Sequence, residues 1–322
     1  MTTIAGSVSS PGKHQRYERL LAAARELPRL NVAVAYPCDK SSLEAVFEAR
    51  RLGFIEPILV GPLAKLQSLA GEMKEDASQL QIVDAAEPVA AAQAAVDLVR
   101  AGKADAVMKG SLHTDELMGA IVRRDGGLRT ARRISHCFVM DVPGHETALI
   151  ITDAAVNIAP NLEDKMHIVQ NAIDLAKALR VDEVRVAILS AMETVNPKVP
   201  STLEAAALCK MADRGQITGA LIDGPLALDN AIDLGAAAIK KIASPVAGKA
   251  NVLVVPDLEA GNMLAKSLTF LADADAAGIV LGARVPVILT SRADSNITRL
   301  ASCAVASLVA DAQRRKLKMA EV

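Results

Sequence analysis

The run 285–296, VPVILTSRADSN, holds the side chains best placed to do chemistry. Residues 285–289 are apolar enough to predict a buried strand, so Thr290, Ser291, Arg292 and Asp294 fall just past its carboxyl end, before a helix predicted from about Ser295. Open α/β sheets keep their ligands there. A hydroxyl, a guanidinium and free backbone N–H groups at one helix N-terminus form an anion receptor, because unpaired donors and the helix dipole favour negative charge. The same residues also suit a plain Ser cap beside a surface Arg.

Other polar residues fall at predicted strand ends. Lys109 opens the loop KGSLHT after a strand at 106–108, with His113 further along; Asp153 and Asn157 follow a strand at 148–151; Asn262 lies in PDLEAGN after a strand at 252–255. Five arginines (Arg123, Arg124, Arg129, Arg132 and Arg133) surround Gly126 and Gly127. They suit either a solvated basic face or a clamp for phosphate oxygens, since Arg presents a fixed fork of donors. The glycine pair favours a mobile loop.

These groups need a scaffold, and 322 residues are enough for one large or two medium domains with a substantial core. Aromatic residues are only 2%, with no Trp, so the core must come from Ala, Val, Leu, Ile and Met, and base-stacking platforms for single-stranded nucleic acid are disfavoured. With 36 basic against 37 acidic residues, the chain has no bulk electrostatic attraction to DNA or to a membrane surface. Four scattered cysteines (Cys38, Cys137, Cys209, Cys303) form no C-x-x-C pair, which points to reduced thiols in the cytoplasm. Neither a signal-peptide core nor an apolar run of transmembrane length is visible.

Short apolar runs alternate with helical periods, the βαβ rhythm of an α/β protein. Residues 1–13 read as a flexible polar tail. Helices are predicted at 16–27, 41–52, 62–70, 87–101, 115–123, 162–179, 201–214 (opened by an STLE capping box), 230–242, from about Asn262, and from about Ser295 onward. The final helix is expected to return to the first domain. The predicted division is 1–142 plus 279–322 as a discontinuous first domain and 143–278 as the second, with the site in the cleft between them. Gly278 and Gly282 read as packing glycines against a neighbouring helix.

No G-x-G-x-x-G follows a strand and no G-x-x-x-x-G-K-[ST] occurs, so dinucleotide and P-loop readings lose their main support. There is no H-E-x-x-H and no G-x-S-x-G, and the predicted metal set is empty. The runs ADAVMKGSLHT, IITDAAVNIAP, DGPLALDNAI, PDLEAGNMLAK and GIVLGARVPVILTSRADS, in that order, resemble the phosphate acetyltransferase and phosphate butyryltransferase family, and are most similar to the phosphotransacetylase half of proteins that also carry an enoyl-CoA hydratase module.

The resemblance implies a two-lobed α/β/α fold with mostly parallel sheets, like isocitrate and isopropylmalate dehydrogenases, assembled as a homodimer in the cytoplasm. It implies reversible transfer of a short acyl group, acetyl first and butyryl second, between coenzyme A and phosphate. The substrates are small molecules, and no tightly bound cofactor is implied. Carried over by residue, Ser291 and Arg292 match the pair that holds the acyl carbonyl and phosphate, and Arg129 matches the arginine that faces the phosphate. Asn262, Asp153 and Asn157 match cleft residues; Lys109, Thr290 and Arg133 complete the substrate-binding set. The family has an Asp seven residues after its active-site Ser, where this chain has Thr298. Either Asp294 takes over as the thiol's base or nearby cations form the thiolate unaided. A non-catalytic acyl-CoA or acyl-phosphate binding module is the alternative of another class.

Overall fold

The computed structural model describes residues 15–291 and 294–320, with side chains over 16–291 and 294–316. The predicted polar tail and Arg292 therefore lie outside the described residues. The elements alternate as the sequence predicts: α1 (Gln15–Arg25), β1 (Leu30–Ala35), α2 (Lys40–Arg51), β2 (Ile55–Gly61), α3 (Leu63–Glu72), β3 (Gln81–Asp84), α4 (Pro88–Arg100), β4 (Ala106–Lys109) and α5 (Thr114–Ile121). Then come β5 (Ser135–Asp141), β6 (Leu149–Thr152), α6 (Leu162–Ala178), β7 (Arg185–Leu189), α7 (Pro200–Asp213), β8 (Leu221–Leu226), α8 (Leu228–Ile232) and α9 (Leu234–Ile239). The chain closes with β9 (Val252–Val254), α10 (Leu258–Leu271), β10 (Asp275–Leu281), β11 (Val287–Ile288) and α11 (Asn296–Ala320).

Local chemistry moves three helix starts. The helix expected from Asn262 begins at Leu258, because the Asp257 side chain accepts the Ala260 N–H at 2.8 Å and caps it there. The STLE capping box does not form. α7 starts one residue earlier, with Pro200 in its first turn, the Ser201 hydroxyl pairs with that of Ser190, and Glu204 pairs with Lys165. The helix expected over 230–242 breaks at Asp233, whose extended backbone ends α8 and whose carboxylate caps α9.

The strands form one sheet in the order β3-β2-β1-β4-β11-β10-β5-β6-β9-β7-β8. Pairing is parallel on both flanks but antiparallel across β11–β10, β10–β5 and β5–β6. Three reversals leave the two parallel flanks running in opposite senses. The carboxyl ends of β4 and β11 therefore lie at one edge of the sheet, and those of β6, β9 and β7 at the other.

The two faces of the sheet are covered differently. One is sealed by a single apolar cluster under α1, α2, α3, α6, α7 and α11. On the other, the core is divided: one cluster lies under α4 and α5, a second under α8, α9 and α10. Between them the central strands β10 and β5 present Gly278 and His136 rather than aliphatic side chains, at the place where the two-lobe expectation puts the cleft. α11 packs against α1, α2, α6 and β10, so the last helix does return to the first elements of the chain.

Candidate active site

Thr290 is buried, and Ser291 follows it into an exposed turn. The turn is closed twice: the Asp294 N–H donates to the Ser291 carbonyl at 3.2 Å, and the Ser291 N–H donates to the Asp294 carboxylate at 2.6 Å. Beneath it lies buried Arg299, one turn into α11, whose guanidinium donates to the carbonyls of Ser291 (3.3 Å) and Asp294 (3.4 Å). Ser295 caps α11, its hydroxyl accepting the Thr298 N–H and lying 3.2 Å from the Thr298 hydroxyl. Thr298 is thus occupied at the helix start.

Burial pushes the Asp294 carboxyl above the usual carboxylate range, against the opposing pull of the Ser291 N–H, Arg299, Lys109 and Lys266. Lys109 is buried at the end of β4, and Lys266 is exposed on α10. Four residues before Lys266, on the same helix face, Asn262 donates to the Ala154 carbonyl at 3.2 Å. α10 therefore spans from the loop after β6 to the neighbourhood of Asp294.

The central strands between the two clusters are organised around His136. Its ring is fully buried, stands edge-on to Phe138 with centroids 4.5 Å apart, and leaves Nδ1 unpartnered. Burial pushes its pKa down to about 4, while the Asp153 charge and a hydrogen bond to the Leu289 carbonyl pull the other way, so the imidazole is neutral near pH 7. Gly278 makes room for it: a methyl there would stand 2.6 Å from the Leu289 carbonyl oxygen and 3.1 Å from His136 Nε2. Gly278 does pack against a helix, its N–H donating to the Ser302 hydroxyl of α11 at 2.9 Å, and it lies under the imidazole on its other side. Gly282 crowds the Arg133 carbonyl instead, in a left-handed conformation (φ +84°).

At the other end of these strands, the buried Asp153 carboxylate accepts the N–H groups of Ala155 (2.9 Å), Val156 (3.0 Å) and Asn157 (3.2 Å). The Asn157 amide donates to Asp153 (2.5 Å) and to the Ile134 carbonyl (2.9 Å), and its oxygen accepts from Arg133 (2.7 Å). Arg133 also lies 3.5 Å from Asp164.

Arg129 belongs to this second end. Its backbone bridges Ala283, past the carboxyl end of β10, and its side chain is exposed. The β10–β11 register puts Thr290 level with Ala277, so Arg129 sits six residues further along, roughly 20 Å at the usual rise per residue. In this structure Arg129 is not at the Ser291 turn.

The predicted set thus divides into two groups at opposite ends of the central strands: Lys109, Thr290, Ser291 and Asp294 at one end, Asp153, Asn157, Arg133 and Arg129 at the other, with Asn262 between. Sequence reasoning missed Lys266, Arg299 and His136. Lys266 was legible as the i+4 partner of Asn262 once both lie on a helix. His136 acts through Leu289 and Asp153, contacts distant in sequence that carry no local signal, whereas Arg299 bonds carbonyls only five and eight residues before it and was missed for lack of a motif. Among the described residues, no group of three or more His, Cys, Asp or Glu is arranged to hold a metal ion.

In a two-lobed α/β/α fold, the strand-end turn thus gathers a hydroxyl, a carboxyl raised by burial and two lysines, groups whose chemistry suits an anion. Residues 87–307 match the family described as "Phosphate acetyl/butaryl transferase", and the chain belongs to that family. It is 62% identical to the phosphate acetyltransferase of Rhizobium meliloti over 97% of this chain and 98% of that protein. It is 42% identical to the phosphate butyryltransferase of Clostridium beijerinckii over 92% of this chain and 98% of that one. A crystal structure of a branched-chain phosphotransacylase from Enterococcus faecalis V583 shares the fold at a TM-score of 0.76 and 31% identity, covering 87% of this chain and 99% of that chain.

Proposed function

We propose that this chain reversibly transfers an acetyl group between coenzyme A and inorganic phosphate, by direct attack within a ternary complex. A phosphate oxygen adds to the thioester carbonyl carbon, the C–S bond breaks, and the departing thiolate takes a proton. In reverse, the thiol yields its proton and its sulfur attacks the acyl phosphate. Holding both reactants in one cleft makes the step effectively unimolecular, so no acyl-enzyme is needed.

The observation that carries this reading is the Asp294 carboxyl, raised by burial and bound to the Ser291 N–H. A carboxyl of raised pKa can give a proton to the leaving sulfur and recover it in reverse. The Ser291 hydroxyl and the Arg292 guanidinium are the proposed partners of the carbonyl oxygen as it gains charge, with Lys109 and Thr290 beside them. Arg129 and Arg133, with Asp153 and Asn157, are assigned to the far end of an elongated substrate. Coenzyme A has that shape, with its thiol at one end and its phosphates towards the other. Asn262 is assigned to the middle.

The division into a first lobe of 1–142 with 279–322 and a second of 143–278 belongs to the same proposal and is supported by the divided core on the cleft face. A homodimer is supported by the apolar stripe on α10, where Met263, Phe270 and Leu271 are 63%, 75% and 86% exposed. A cytoplasmic setting without a tightly bound cofactor completes the reading. No described helix is long and apolar enough to cross a membrane.

The test is thiol release from acetyl-, propionyl- and butyryl-CoA in phosphate. The expected order favours acetyl. A preference for butyryl, which the Clostridium relative makes the second reading, would reassign the acyl group; coenzyme A binding without acyl phosphate from any of the three would leave only a binding module.

A further inference from the structure

On the face of the sheet opposite the cleft, α6 and α11 leave a cavity of about 620 Å³ over the end of β10. Its floor is aliphatic. Its rim carries Arg132, Lys177, Arg180, Arg315 and Lys316 and a single carboxylate, Asp174. That carboxylate is already shared between Arg132 (3.6 Å) and Lys316 (3.1 Å), while Arg315 pairs with Asp311 on its own helix. Lys177 and Arg180 make no ion pair among the described residues. In a chain whose formal net charge is -1, five cations around one concavity repel each other unless an anion joins them, and low-dielectric walls concentrate such anions. The volume falls within the range of small-ligand sites, about 300–1,000 Å³.

The cavity is also wired to the cleft. Arg132 donates to the Asn171 side-chain oxygen at 3.4 Å, and the Asn171 amide donates to the Arg133 carbonyl (2.9 Å) and the Ser135 hydroxyl (2.9 Å). Arg133 in turn holds Asn157, which holds Asp153 on the cleft floor. Arg132 and Arg133, adjacent in sequence, thus reach two different networks, Arg132 the cavity rim and Arg133 the Asn157–Asp153 pair. The backbone between them and Gly282 has no slack, since even a methyl at Gly282 would meet the Arg133 carbonyl oxygen at 2.3 Å.

We propose that this cavity is an effector site for an organic polyphosphate of nucleotide size, whose occupancy is transmitted through Asn171 to the Arg133–Asn157–Asp153 end of the cleft. The cations take the phosphates, the aliphatic floor takes the organic body, and an anion that draws Arg132 away from Asn171 loosens the support beneath Arg133. The binding half stands independently of the acyl-transfer reading; the transmission half rests on it.

The experiment is calorimetric titration of the full chain with a nucleoside triphosphate, with inorganic tripolyphosphate and with the bare nucleoside, comparing wild type with Lys177→Gln/Arg180→Gln. Both substituted residues lie off the cleft, so basal turnover should be unchanged. The nucleotide is expected to bind more tightly than tripolyphosphate, the nucleoside not at all, and the double variant at least tenfold more weakly than wild type. Equal or tighter binding of tripolyphosphate would replace the nucleotide with an inorganic chain. Binding that survives the double substitution, or no binding by either phosphate probe, overturns the site. A saturating nucleotide should also change the KM for coenzyme A at least threefold in wild type and leave it unchanged in the double variant. An unaltered KM in saturated wild type overturns the transmission, and a chain without acyl-transfer activity would still be judged by the titration.

Discussion

The Asp294 carboxylate holds the backbone N–H of Ser291 at 2.6 Å, closing the turn on which the proposed nucleophile-handling groups stand. The carboxyl that shapes the turn is therefore also the one whose proton affinity burial has raised. Asp294→Asn keeps the hydrogen-bond acceptor and removes the titration. Turnover should fall at least about a hundredfold, the lower range for losing a positioned proton-transfer group. Stability should move the other way. A raised carboxyl pKa means that the native state binds more protons than the unfolded chain above the unfolded pKa, so stability falls as pH rises through the window up to the folded value. Asn should therefore be as stable as wild type or more so at pH 7, with the difference closing as pH falls towards 4. Denaturant melts at both pH values check this, and wild-type turnover in the variant would exclude Asp294 as the proton carrier.

Lys266, on α10, pulls the Asp294 pKa down against the rise that burial causes. Lys266→Gln should lower kcat/KM by roughly tenfold, the scale of one partly screened charge. The diagnostic is the pH profile: in the direction that consumes the thiol, the acidic limb should move to higher pH, because a carboxyl that has lost a cation neighbour holds its proton longer. An acidic limb that stays in place would show that some other group sets it.

Much of this site was legible because strand ends are local. The apolar run before Thr290 and the Ser-rich start of α11 located the turn from a dozen residues. What could not be read was direction. Whether Arg129 meets Ser291 depends on β10 pairing antiparallel with β5, some 140 residues apart in sequence, and with β11. Nothing in the composition of 275–281 distinguishes that from a parallel neighbour, and the reversals put Arg129 at the other end of the cleft. His136 was hidden for a related reason. It alternates with Phe138 and Met140 as a buried strand residue should, and only the divided core shows that its position faces a gap.

Arg292 and Ser291 separate two mechanisms. Arg292→Ala should reduce turnover about a hundredfold or more, the cost of one charge-stabilising donor. Ser291→Ala should retain measurable activity with no burst phase, since the reading gives the hydroxyl a hydrogen-bonding role. Mass spectrometry after rapid quench with acetyl-CoA checks the second point, and an acetyl group on Ser291 would replace direct transfer with a covalent route.

His136 gives the last test, through stability. Its pKa lies near 4 in the folded chain, against about 6.5 for an unperturbed imidazole. Between those values the unfolded state binds the additional proton, so ∂ΔG/∂pH is positive: the contribution is fully present above pH 6.5 and is lost as pH falls towards 4. At about 1.36 kcal/mol per pKa unit, the loss is roughly 3 kcal/mol. His136→Gln removes the titration and can still donate to the Leu289 carbonyl from its amide. It should flatten the stability–pH curve between pH 6.5 and 4 while lowering stability at pH 7 through poorer packing over Gly278. The same slope in variant and wild type would mean that the acid loss arises elsewhere. A flattened slope with normal turnover at pH 7 would make His136 a structural strut between Leu289 and the cleft floor with no part in the reaction.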